Sequence, residues 1–438
     1  MAKFVIRGGF PLRGAIRLGG CKNSSFKLMI AAGLGDKESR LLNLANIGDV
    51  EVTELSLKGL GIKVERCGER TIFVRPNGLK KSKIPSISGE KTRASTLFAA
   101  LLLNRLGRAQ IPFPGGCVLG SRPIDRHLEA FRALGVKIVN RNKWYYLSCQ
   151  KLKGTTFRFP KKTHTGTEAM ILAAVKALGM TLIKNAGQEP EIDDLITFLN
   201  KMGADIKRQN KDEIVIKGVK HLGGAIHKIM PDRNEAVSYA VAALATKGDI
   251  VVEDARADDI KTFLSKVEEI GGKFSVDDYG IRFWYEKPLK ATKITTAPEP
   301  GFMTDWQPLW TLLMTQANGT SQIIEAVHEN RLQFTDQLAR MGAKIELFNP
   351  KVKSPDKFYG FDNPDQKTNF HAVHVFGSAP LKAMDLIIPD LRAGATLTVA
   401  ALIAKGKSTL SGVQHIDRGY EQLDERLRQL GANIKRVD

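Results

Sequence analysis

The sequence predicts an α/β protein built from six repeats, each containing a helix, a strand, a second helix and a second strand. The first observation behind this prediction is a phrase that occurs six times: the end of an amphipathic helix, a glycine, and a short strand flanked by polar residues. Its glycines are Gly61, Gly135, Gly203, Gly271, Gly342 and Gly431. The second observation is the near-equal spacing of these phrases, which generic alternation of helices and strands would not give. The six repeats account for nearly all of the 438 residues.

The first helix of each repeat is predicted from a run rich in Ala and Leu. The six runs are 24–34, 94–103, 167–178, 235–245, 307–316 and 393–404. A glycine and a short strand follow each run, and a second helix then leads to the repeated glycine. A glycine directly after a helix commonly adopts a positive φ and ends the helix. We therefore expect the six repeated glycines to terminate the second helices in this conformation.

One interval between repeated glycines is longer than the others, and it lies between Gly342 and Gly431. It contains residues 349–378, which are rich in Pro, Asp, Asn and Lys. We interpret this segment as a loop or hairpin inserted in the fifth repeat. Two histidines within it, His371 and His374, have a spacing that would allow metal binding, but a surface strand is the favoured interpretation.

The composition is that of an ordinary folded protein with an unusually basic charge. Hydrophobic residues make up 43% and charged residues 26%, and Lys plus Arg exceed Asp plus Glu by 66 to 46. This excess points to anionic partners, either nucleic acid or a highly phosphorylated small substrate. No long run of consecutive basic residues occurs, so a basic nucleic-acid-binding tail is not predicted.

Neither membrane insertion nor secretion is expected. The longest apolar stretches, such as residues 97–103, are far short of the roughly 20 residues that cross a membrane. The first residues lead directly into a predicted strand, without an apolar signal. The four cysteines, Cys21, Cys67, Cys117 and Cys149, are widely separated and have no metal-ligand spacing. We therefore expect a cytoplasmic protein with reduced thiols and no metal.

Charged residues recur where the predicted helices begin. At the first helices they are Lys22, Arg93, His164, Asp232–Arg233, Asp305 and Asp390–Arg392, and at the second helices Asp49, Arg122–Asp125, Glu189–Glu191, Asp258–Asp259, Glu329–Arg331 and Asp417–Arg418. An acidic residue there has an ordinary role as a helix cap, but a cation is unfavourable at a helix N-terminus unless an anion lies between them. The cations therefore predict a polyanionic ligand, held in a cleft that the helix N-termini of two three-repeat domains face.

The loop of residues 112–123 contains three Pro and three Gly around Cys117. Such a composition is typical of an exposed loop rather than of a core segment. A lone cysteine is most often a small buried apolar residue. Here the glycines and the neighbouring Arg122 instead favour an accessible thiol with a lowered pKa.

Several phrases resemble the enolpyruvyl transferase family over essentially the whole chain. They are GGCKNS (19–24), TRAS (92–95), PGGCVLGSRPIDRHL (114–128), EPEI (189–192), PDR (231–233), TDWQ (304–307), ENR (329–331), PDLRA (389–393) and HIDRGYE (415–421). The cysteine loop and HIDRGYE are the most specific of them. The resemblance implies a two-domain inside-out α/β barrel with three repeats per domain. It places residues 22–230 in one domain and residues 1–21 together with 231–438 in the other.

The resemblance also implies an activity, which is transfer of the enolpyruvyl group of phosphoenolpyruvate to the 3-hydroxyl of UDP-N-acetylglucosamine with release of phosphate. This is the first committed step of peptidoglycan synthesis, and it requires no cofactor or metal. In this chemistry Asp305 is the expected base for the sugar hydroxyl, and Cys117 is the expected acid for the enol carbon. Lys22 and Arg418, with further arginines, would hold the phosphate and carboxylate.

The family's binding positions fall on charged and polar residues of this sequence. Phosphoenolpyruvate contacts fall on Lys22, Asn23, Arg122, Arg331, Arg392 and Arg418. UDP-sugar contacts fall on Arg93, Arg122, Pro123, Ile124, Asp125, Arg126, Lys162, Thr163, His164, Thr165, Asp305 and Val327. Cys117 corresponds to a thiol that can form a covalent adduct with phosphoenolpyruvate and that reacts with the epoxide fosfomycin.

Three features depart from the family's usual pattern. Cys21 stands where Ala is usual, His164 stands where Ser is usual, and residues 349–378 have no common counterpart. Two alternatives therefore stay open: a paralogue that acts on another sugar nucleotide, and a basic nucleic-acid-binding protein on a related repeat fold. The aromatic content of 7% and the lack of a nucleotide-binding signature make nucleic acid the less favoured partner.

Overall fold

The computed structural model describes residues 2–86, 94–113, 124–361 and 369–437. These residues form two compact units. One unit contains residues 2–19 and 231–437, and the other contains the described residues between 20 and 230. Each unit has its own apolar core. The predicted α/β class is confirmed, since helices and strands alternate through six repeats.

The first two strands of the chain, β1 (Lys3–Gly8) and β2 (Arg13–Arg17), complete repeats whose other elements come from residues 231–437. β1 lies between residues 406–411 and residues 433–437, and it is antiparallel to both. β2 runs parallel to residues 249–253. The unit that contains residues 231–437 is therefore discontinuous in sequence.

The unit of residues 20–230 contains three repeats. The first has α1 (Lys22–Ala32), β3 (Ser39–Leu42), α2 (Gly48–Leu60), β4 (Lys63–Arg66) and β5 (Thr71–Arg75). The second has α3 (Ser95–Leu106), β6 (Arg108–Pro112), α4 (Asp125–Ala133), β7 (Lys137–Arg141) and β8 (Trp144–Ser148). The third has β9 (Thr156–Arg158), α5 (His164–Ala174), β10 (Met180–Lys184), α6 (Pro190–Lys201), β11 (Asp205–Asn210) and β12 (Glu213–Lys217). A last strand, β13 (Ile226–Lys228), returns to pair in parallel with β3.

The unit of residues 2–19 and 231–437 contains the other three repeats. The fourth has α7 (Arg233–Ala245), β14 (Asp249–Glu253), a 3-10 turn (Ala257–Ile260), α8 (Lys261–Glu269), β15 (Lys273–Asp277) and β16 (Gly280–Trp284). The fifth has β17 (Lys293–Thr295), α9 (Gln307–Met314), β18 (Thr320–Ile324), α10 (Phe334–Arg340), β19 (Lys344–Phe348), α11 (Pro355–Phe358) and β20 (Ala372–Phe376). The sixth has β21 (Asp385–Ile387), α12 (Leu391–Ile403), β22 (Gly406–Ser411), α13 (Gln414–Asp417), α14 (Leu423–Gln429) and β23 (Asn433–Val437).

Each repeat forms one small sheet with a common order. In the third repeat the order is β11, β12, β10, β9, with β9 parallel and β12 antiparallel to β10. The strand that follows the first helix is therefore central, and the last two strands form a hairpin beside it. The described strands of the second repeat form three strands of this pattern, with an isolated parallel bridge at the fourth position.

The two kinds of helix differ in burial, as their sequences predict. Every residue of α7 is buried, which explains why the first helices are apolar on all sides. The second helices bury one face only, and α6 is an example. The six repeated glycines that follow them have φ between +81° and +104°, so the predicted helix-ending conformation is confirmed.

The fifth repeat differs from the others in its hairpin. In the second repeat the two residues Asn142–Lys143 join β7 to β8, because Arg141 pairs with Trp144. In the fifth repeat Phe348 pairs with Ala372 in the same manner, so residues 349–371 take the place of a two-residue turn. The predicted insert began at the right residue but extended too far, since residues 372–376 form β20 between β18 and β19. Their alternation of apolar side chains with His374 is an ordinary strand pattern.

No helix in the described parts of the chain combines the length and apolar character that crossing a membrane requires.

Candidate active site

Asp305 lies directly before α9, in a segment that is fixed on both sides. The preceding residue, Thr304, donates its hydroxyl to Glu325 Oε2 at 2.9 Å. The following residue, Trp306, is buried and donates its indole N–H to Asn234 Oδ1 at 3.0 Å. The backbone on either side of Asp305 is therefore immobilised by buried hydrogen bonds.

Two arginines share the Asp305 carboxylate. Arg331 Nη2 donates to Oδ1 at 2.9 Å, and Arg392 donates to Oδ2 through Nε at 3.1 Å and Nη2 at 2.7 Å. Both guanidinium groups are almost fully buried, whereas 23% of the Asp305 side chain is exposed. The structure thus brings together three predicted site residues that come from three different segments of one unit.

The arginines control the acidity of Asp305. Burial alone would raise its pKa, but the charges of Arg392 and Arg331 outweigh burial and hold the pKa of this carboxyl well below its usual range. Burial would lower the pKa of Arg392, and the Asp305 charge raises it instead. Asp305 and Arg392 are therefore both ionised near neutral pH.

Tyr420 and Ser238 fix the other side of the Arg392 guanidinium. Arg392 Nη1 donates to the Tyr420 hydroxyl at 3.3 Å, and the same hydroxyl lies 2.9 Å from Ser238 Oγ. The guanidinium also lies over the Tyr420 ring, 5.6 Å from its centroid. Burial raises the pKa of Tyr420, so its hydroxyl keeps its proton. Arg392 is oriented by contacts on both of its edges.

Glu325 is a buried residue of this site that the sequence analysis did not identify. Its Oε1 accepts hydrogen bonds from Thr296 Oγ1 and from the backbone N–H groups of Val327 and His328, at 2.8–2.9 Å. Through Oε2 it also accepts the hydroxyl of Thr304. Burial raises its pKa despite these bonds and the Arg331 charge. Glu325 therefore ties the loop after β18, which leads to Arg331, to the segment that carries Asp305.

Arg233 does not belong to this group, although the sequence analysis placed it among the anion-binding cations. It is buried, its Nη1 lies 2.6 Å from Glu299 Oε2, and it packs over the Trp306 ring. Glu299 supplies the negative charge that a cation at a helix start requires. The position of Arg233 at a helix start therefore does not require a ligand anion.

Arg418 lies at a different kind of position from the predicted one. It is the exposed residue directly after α13, so it stands at the C-terminal end of a short helix rather than at the start of one. A cation is favourable there without any ligand. The helix-dipole argument consequently does not support Arg418, and its assignment rests on the family resemblance alone.

In the unit of residues 20–230, Lys22 and Asn23 are the first two residues of α1. Lys22 Nζ lies 2.6 Å from Asp49 Oδ2, near the start of α2. Both side chains are largely buried, and Lys22 also lies 5.5 Å from the centroid of the Phe26 ring. Two helix starts thus meet through an ion pair.

A hydrogen bond joins the two segments predicted to bind the UDP-sugar. Ile124, Asp125 and Arg126 stand at the start of α4, and the next residue, His127, is buried. His127 Nε2 lies 2.9 Å from the hydroxyl of Thr165, in the first turn of α5. Lys162 to Thr165 span the start of α5, where the hydroxyl of Thr163 caps the helix by accepting the Gly166 N–H at 3.2 Å. The segments are therefore neighbours, as their shared assignment requires.

His164 contacts a buried ion pair. Lys27 Nζ lies 2.6 Å from the Glu168 carboxylate, with both side chains almost completely buried. His164 Nε2 lies 3.1 Å from Lys27 Nζ and 3.1 Å from Glu168 Oε1. Burial would lower the pKa of His164, but Glu168, aided by Glu189 and opposed by Lys27, raises it above its ordinary value. The imidazole therefore carries a proton to higher pH than a histidine in water.

The other departure from the family pattern also faces a carboxylate. Cys21 is buried directly before α1, and its Sγ donates to Glu191 Oε1 at 3.8 Å. Four predicted site residues, Arg93, Cys117, Arg122 and Pro123, lie outside the described residues. Among the residues that the structure does describe, no group of three or more His, Cys, Asp or Glu side chains is arranged to hold a metal ion.

Fold and site together define a two-unit α/β repeat protein whose buried charged groups collect at the starts of its helices. The sequence pattern of the family described as EPSP synthase (3-phosphoshikimate 1-carboxyvinyltransferase) matches residues 6–427. The chain belongs to this family of enolpyruvyl transferases, as its resemblance predicted.

Relatives and solved structures agree with this membership. The chain is 40% identical to the UDP-N-acetylglucosamine 1-carboxyvinyltransferase of Protochlamydia amoebophila, over 99% of this chain and 94% of the relative. It is 38% identical to the protein of the same name from Sorangium cellulosum, over 100% and 99%. The enolpyruvyl transferase NikO from Streptomyces tendae has the same fold, with a TM-score of 0.86 at 23% identity over 100% of this chain and 99% of that one. EPSP synthase from Acinetobacter baumannii gives a TM-score of 0.75 at 18% identity over both whole chains.

Proposed function

We propose that the protein transfers the enolpyruvyl group of phosphoenolpyruvate to the 3-hydroxyl of UDP-N-acetylglucosamine and releases phosphate. Full-length relatives named for this reaction support the choice of substrates. The structural observation that carries the proposal is the position of Asp305 between Arg331 and Arg392. A carboxylate that is ionised near neutral pH, beside cations suited to a phosphate, fits a reaction between a hydroxyl and a phosphorylated enol.

Asp305 is the proposed base that removes the proton of the sugar hydroxyl. An acid this strong is a weak base while both arginines hold it. Phosphoenolpyruvate is itself an anion and competes with Asp305 for Arg331 and Arg392. When the substrate takes over their N–H groups, the pKa of Asp305 rises and the carboxylate becomes a better base. Substrate binding thereby prepares the base.

The bond changes follow an addition and an elimination. In the addition the sugar oxygen bonds to the carbon that carries the phosphate, the hydroxyl proton passes to Asp305, and the neighbouring carbon receives a proton from Cys117. In the elimination that neighbouring carbon returns a proton to the Cys117 thiolate, the C–O bond to phosphate breaks, and the departing phosphate takes the proton held by Asp305. Lys22, with Arg122 and Arg418, is proposed to hold the departing phosphate, and Asn23 is proposed to contact phosphoenolpyruvate.

The residues proposed to contact the UDP-sugar are described for each unit separately. In the unit of residues 20–230 the proposed contacts are Arg93, Arg122, Pro123, Ile124, Asp125, Arg126, Lys162, Thr163, His164 and Thr165. In the other unit they are Asp305 and Val327. The hydrogen bond between His127 and Thr165 supports this grouping, because it holds the starts of α4 and α5 together.

A phosphate-release assay tests the proposal. The purified protein, supplied with phosphoenolpyruvate and UDP-N-acetylglucosamine, should release one phosphate for each sugar that gains an enolpyruvyl group, as measured by mass spectrometry of the product. Omission of either substrate should abolish release. If neither phosphate nor enolpyruvyl sugar forms with both substrates present, the proposal is wrong.

A second candidate function is the same transfer to a different sugar nucleotide. The contact of His164 with Lys27 and Glu168 favours it, because His164 belongs to the segment of residues 162–165 that is proposed to bind the nucleotide. The same assay with a series of UDP-sugars decides between the two candidates. A kcat/KM that is highest for UDP-N-acetylglucosamine supports the main proposal, whereas a higher value for another sugar supports the second.

Cys117 is predicted to be the thiol that fosfomycin alkylates. Cys21 is buried, and burial raises the pKa of Cys149, so neither should react readily. Cys67 is exposed and serves as an internal control for simple accessibility. Peptide mass spectrometry after fosfomycin treatment should find the adduct on Cys117, and phosphate should slow its formation. An adduct on Cys67 instead would contradict the assignment.

A further inference from the structure

Residues 349–371 contact the segment that follows β18. The carbonyl of His371 accepts the N–H of Glu325 at 2.7 Å, which continues the pairing of β18 with β20 by one residue. The N–H of Gly360 donates to the carbonyl of Ala326 at 2.6 Å. The N–H of Ala326 is taken by Thr296 Oγ1 at 2.8 Å. The backbone of Ala326 is therefore held by the insert on one side and by the sheet on the other.

Gly360 also lies against Val327. A Cβ atom added to Gly360 would stand 3.4 Å from the Ala326 carbonyl oxygen, 3.5 Å from Val327 Cα and 3.6 Å from the Val327 carbonyl oxygen. The N–H of Val327 donates to Glu325 Oε1. The position of the Val327 backbone is thus set by Glu325 and by the insert together.

The part of the insert that carries Gly360 is fixed by its own contacts. Asn349 Oδ1 accepts the N–H of His371 at 2.9 Å, and Asn349 Nδ2 donates to the carbonyl of Asn369 at 3.2 Å. Tyr359 is buried, and its ring lies 5.1 Å from the His371 ring and 4.9 Å from the Phe361 ring, centroid to centroid. Gly360 therefore stands on a packed element, which can transmit a fixed position to its neighbour.

We propose that the described residues of the insert, 349–361 and 369–371, are a positioning element for the sugar-nucleotide site, and that they act through the contact of Gly360 with Ala326 and Val327. This inference deepens the proposed function and rests on it, since Val327 is assigned to the UDP-sugar there. The insert itself need not touch the substrate. It replaces a two-residue turn, so the sheet does not require it, and its contacts with the loop after β18 give it a role of its own.

Two substitutions at Gly360 separate the hydrogen bond from the space. Gly360→Pro removes the N–H donor, and Tyr359, with φ −87° and ψ 140°, already has the conformation that a following proline requires. Gly360→Ala keeps the donor, and its Cβ meets only ordinary contact distances. We expect Gly360→Pro to raise the KM for UDP-N-acetylglucosamine by roughly threefold to tenfold, the effect of one lost hydrogen bond. The KM for phosphoenolpyruvate and the kcat should not change, and Gly360→Ala should behave as the parent.

Each outcome of this comparison either supports or overturns the inference. A rise confined to the KM for UDP-N-acetylglucosamine supports it. Parental kinetics in Gly360→Pro overturn it. Loss of kcat or an equal rise of both KM values also overturns it, because either would show a general structural role.

A shortened chain keeps the test decisive if Gly360→Pro does not fold. Residues 349–371 are replaced by Asn-Gly, the pair best suited to a two-residue turn, which joins Phe348 to Ala372 in the register they already have. We expect this chain to fold and to show a raised KM for UDP-N-acetylglucosamine. A shortened chain with the parental KM overturns the inference.

Failure of the inference can be told apart from failure of the proposed function. The parent protein is assayed first for phosphate release with both substrates. If the parent is inactive, the proposed function fails and the inference falls with it. If the parent is active and the variants match it, the inference alone fails.

Discussion

The starts of two equivalent helices, α9 in the fifth repeat and α5 in the third, hold buried charge in contrasting ways. Before α9, the Asp305 carboxylate is shared by two arginines, and Asp305 and Arg392 both keep their charge near neutral pH. In α5, the Glu168 carboxylate is shared by one lysine and His164, which can lose its charge. The first arrangement is fixed, and the second responds to pH.

The contrast shows that equivalent helix starts in different repeats can hold buried charge, and that the side chains at each start determine its chemistry. Both sites lie at the start of a helix whose other residues are mostly buried, and most of their charged groups are buried as well. Arginine cannot release its proton under ordinary conditions, so a carboxylate between two arginines changes only when another anion competes. An imidazole in the same position also changes with the proton concentration.

The largest predicted effect is that of Asp305→Ala. Removing the proposed base should lower kcat by roughly a hundredfold to ten-thousandfold, while calorimetry should still detect binding of UDP-N-acetylglucosamine. Thermal unfolding is measured in parallel, because Arg331 and Arg392 lose their partner. Asp258→Ala is the control, since Asp258 also stands at a helix start but is exposed. Turnover near the parental rate in Asp305→Ala would exclude Asp305 from the mechanism.

A smaller effect is expected for Arg392→Lys. Lysine keeps the charge but cannot make the three directed hydrogen bonds to Asp305 and Tyr420. The KM for phosphoenolpyruvate should rise by roughly tenfold to a hundredfold, the effect of losing one charge-assisted hydrogen bond of about 1.5–3 kcal/mol.

Arg282→Lys is the matched control for this change. Arg282 also makes a forked contact, with both oxygens of Asp249, but it is half-exposed. An exposed pair of this kind contributes little, so this variant should keep the parental KM. If Arg392→Lys is equally silent, the fixed arrangement around Asp305 is not needed to bind phosphoenolpyruvate.

The smallest effect concerns the pH response of His164. Its raised pKa means that the attraction to Glu168 is fully present below the ordinary histidine pKa and is lost as pH rises through the raised value. If the charged imidazole binds the sugar nucleotide, KM for UDP-N-acetylglucosamine should increase by roughly threefold to tenfold over that range. The charged groups that face the ring are Lys27, Glu168 and Glu189.

His164→Gln should flatten this pH profile at the higher KM. His221→Gln is the control, because His221 lies 3.2 Å from Asp36 in the same unit but is exposed. A step that persists in His164→Gln would assign the titration to another group, and the contrast between the two helix starts would lose its functional meaning.

Local patterns predicted much of the fold from the sequence. The repeated glycines ended their helices with positive φ because that requirement is local. The proximity of Asp305, Arg331 and Arg392 could be predicted for a different reason. These residues stand near helix starts of neighbouring repeats in one unit, and such repeats bring equivalent positions together.

Long-range charge pairs explain what the sequence analysis missed. Arg233 was grouped with the ligand-binding cations because its partner, Glu299, lies in a distant segment. Lys27 and Glu168 were overlooked, although each is the one charged residue among the buried residues of its helix. A buried charge needs a counter-charge inside the protein, and this rule would have connected them. Glu325, buried directly after β18, carries the same signal.

The position of β1 between β22 and β23 has a consequence for the order in which the protein is made. The ribosome releases residues 3–8 first, but both partners of this strand are among the last residues to be synthesised. The unit of residues 20–230 needs nothing beyond Met230 and is available to fold earlier. Until synthesis reaches β22, β1 has neither of its partner strands, a state prone to wrong pairing. A nascent chain interrupted before residue 406 would retain that exposed edge.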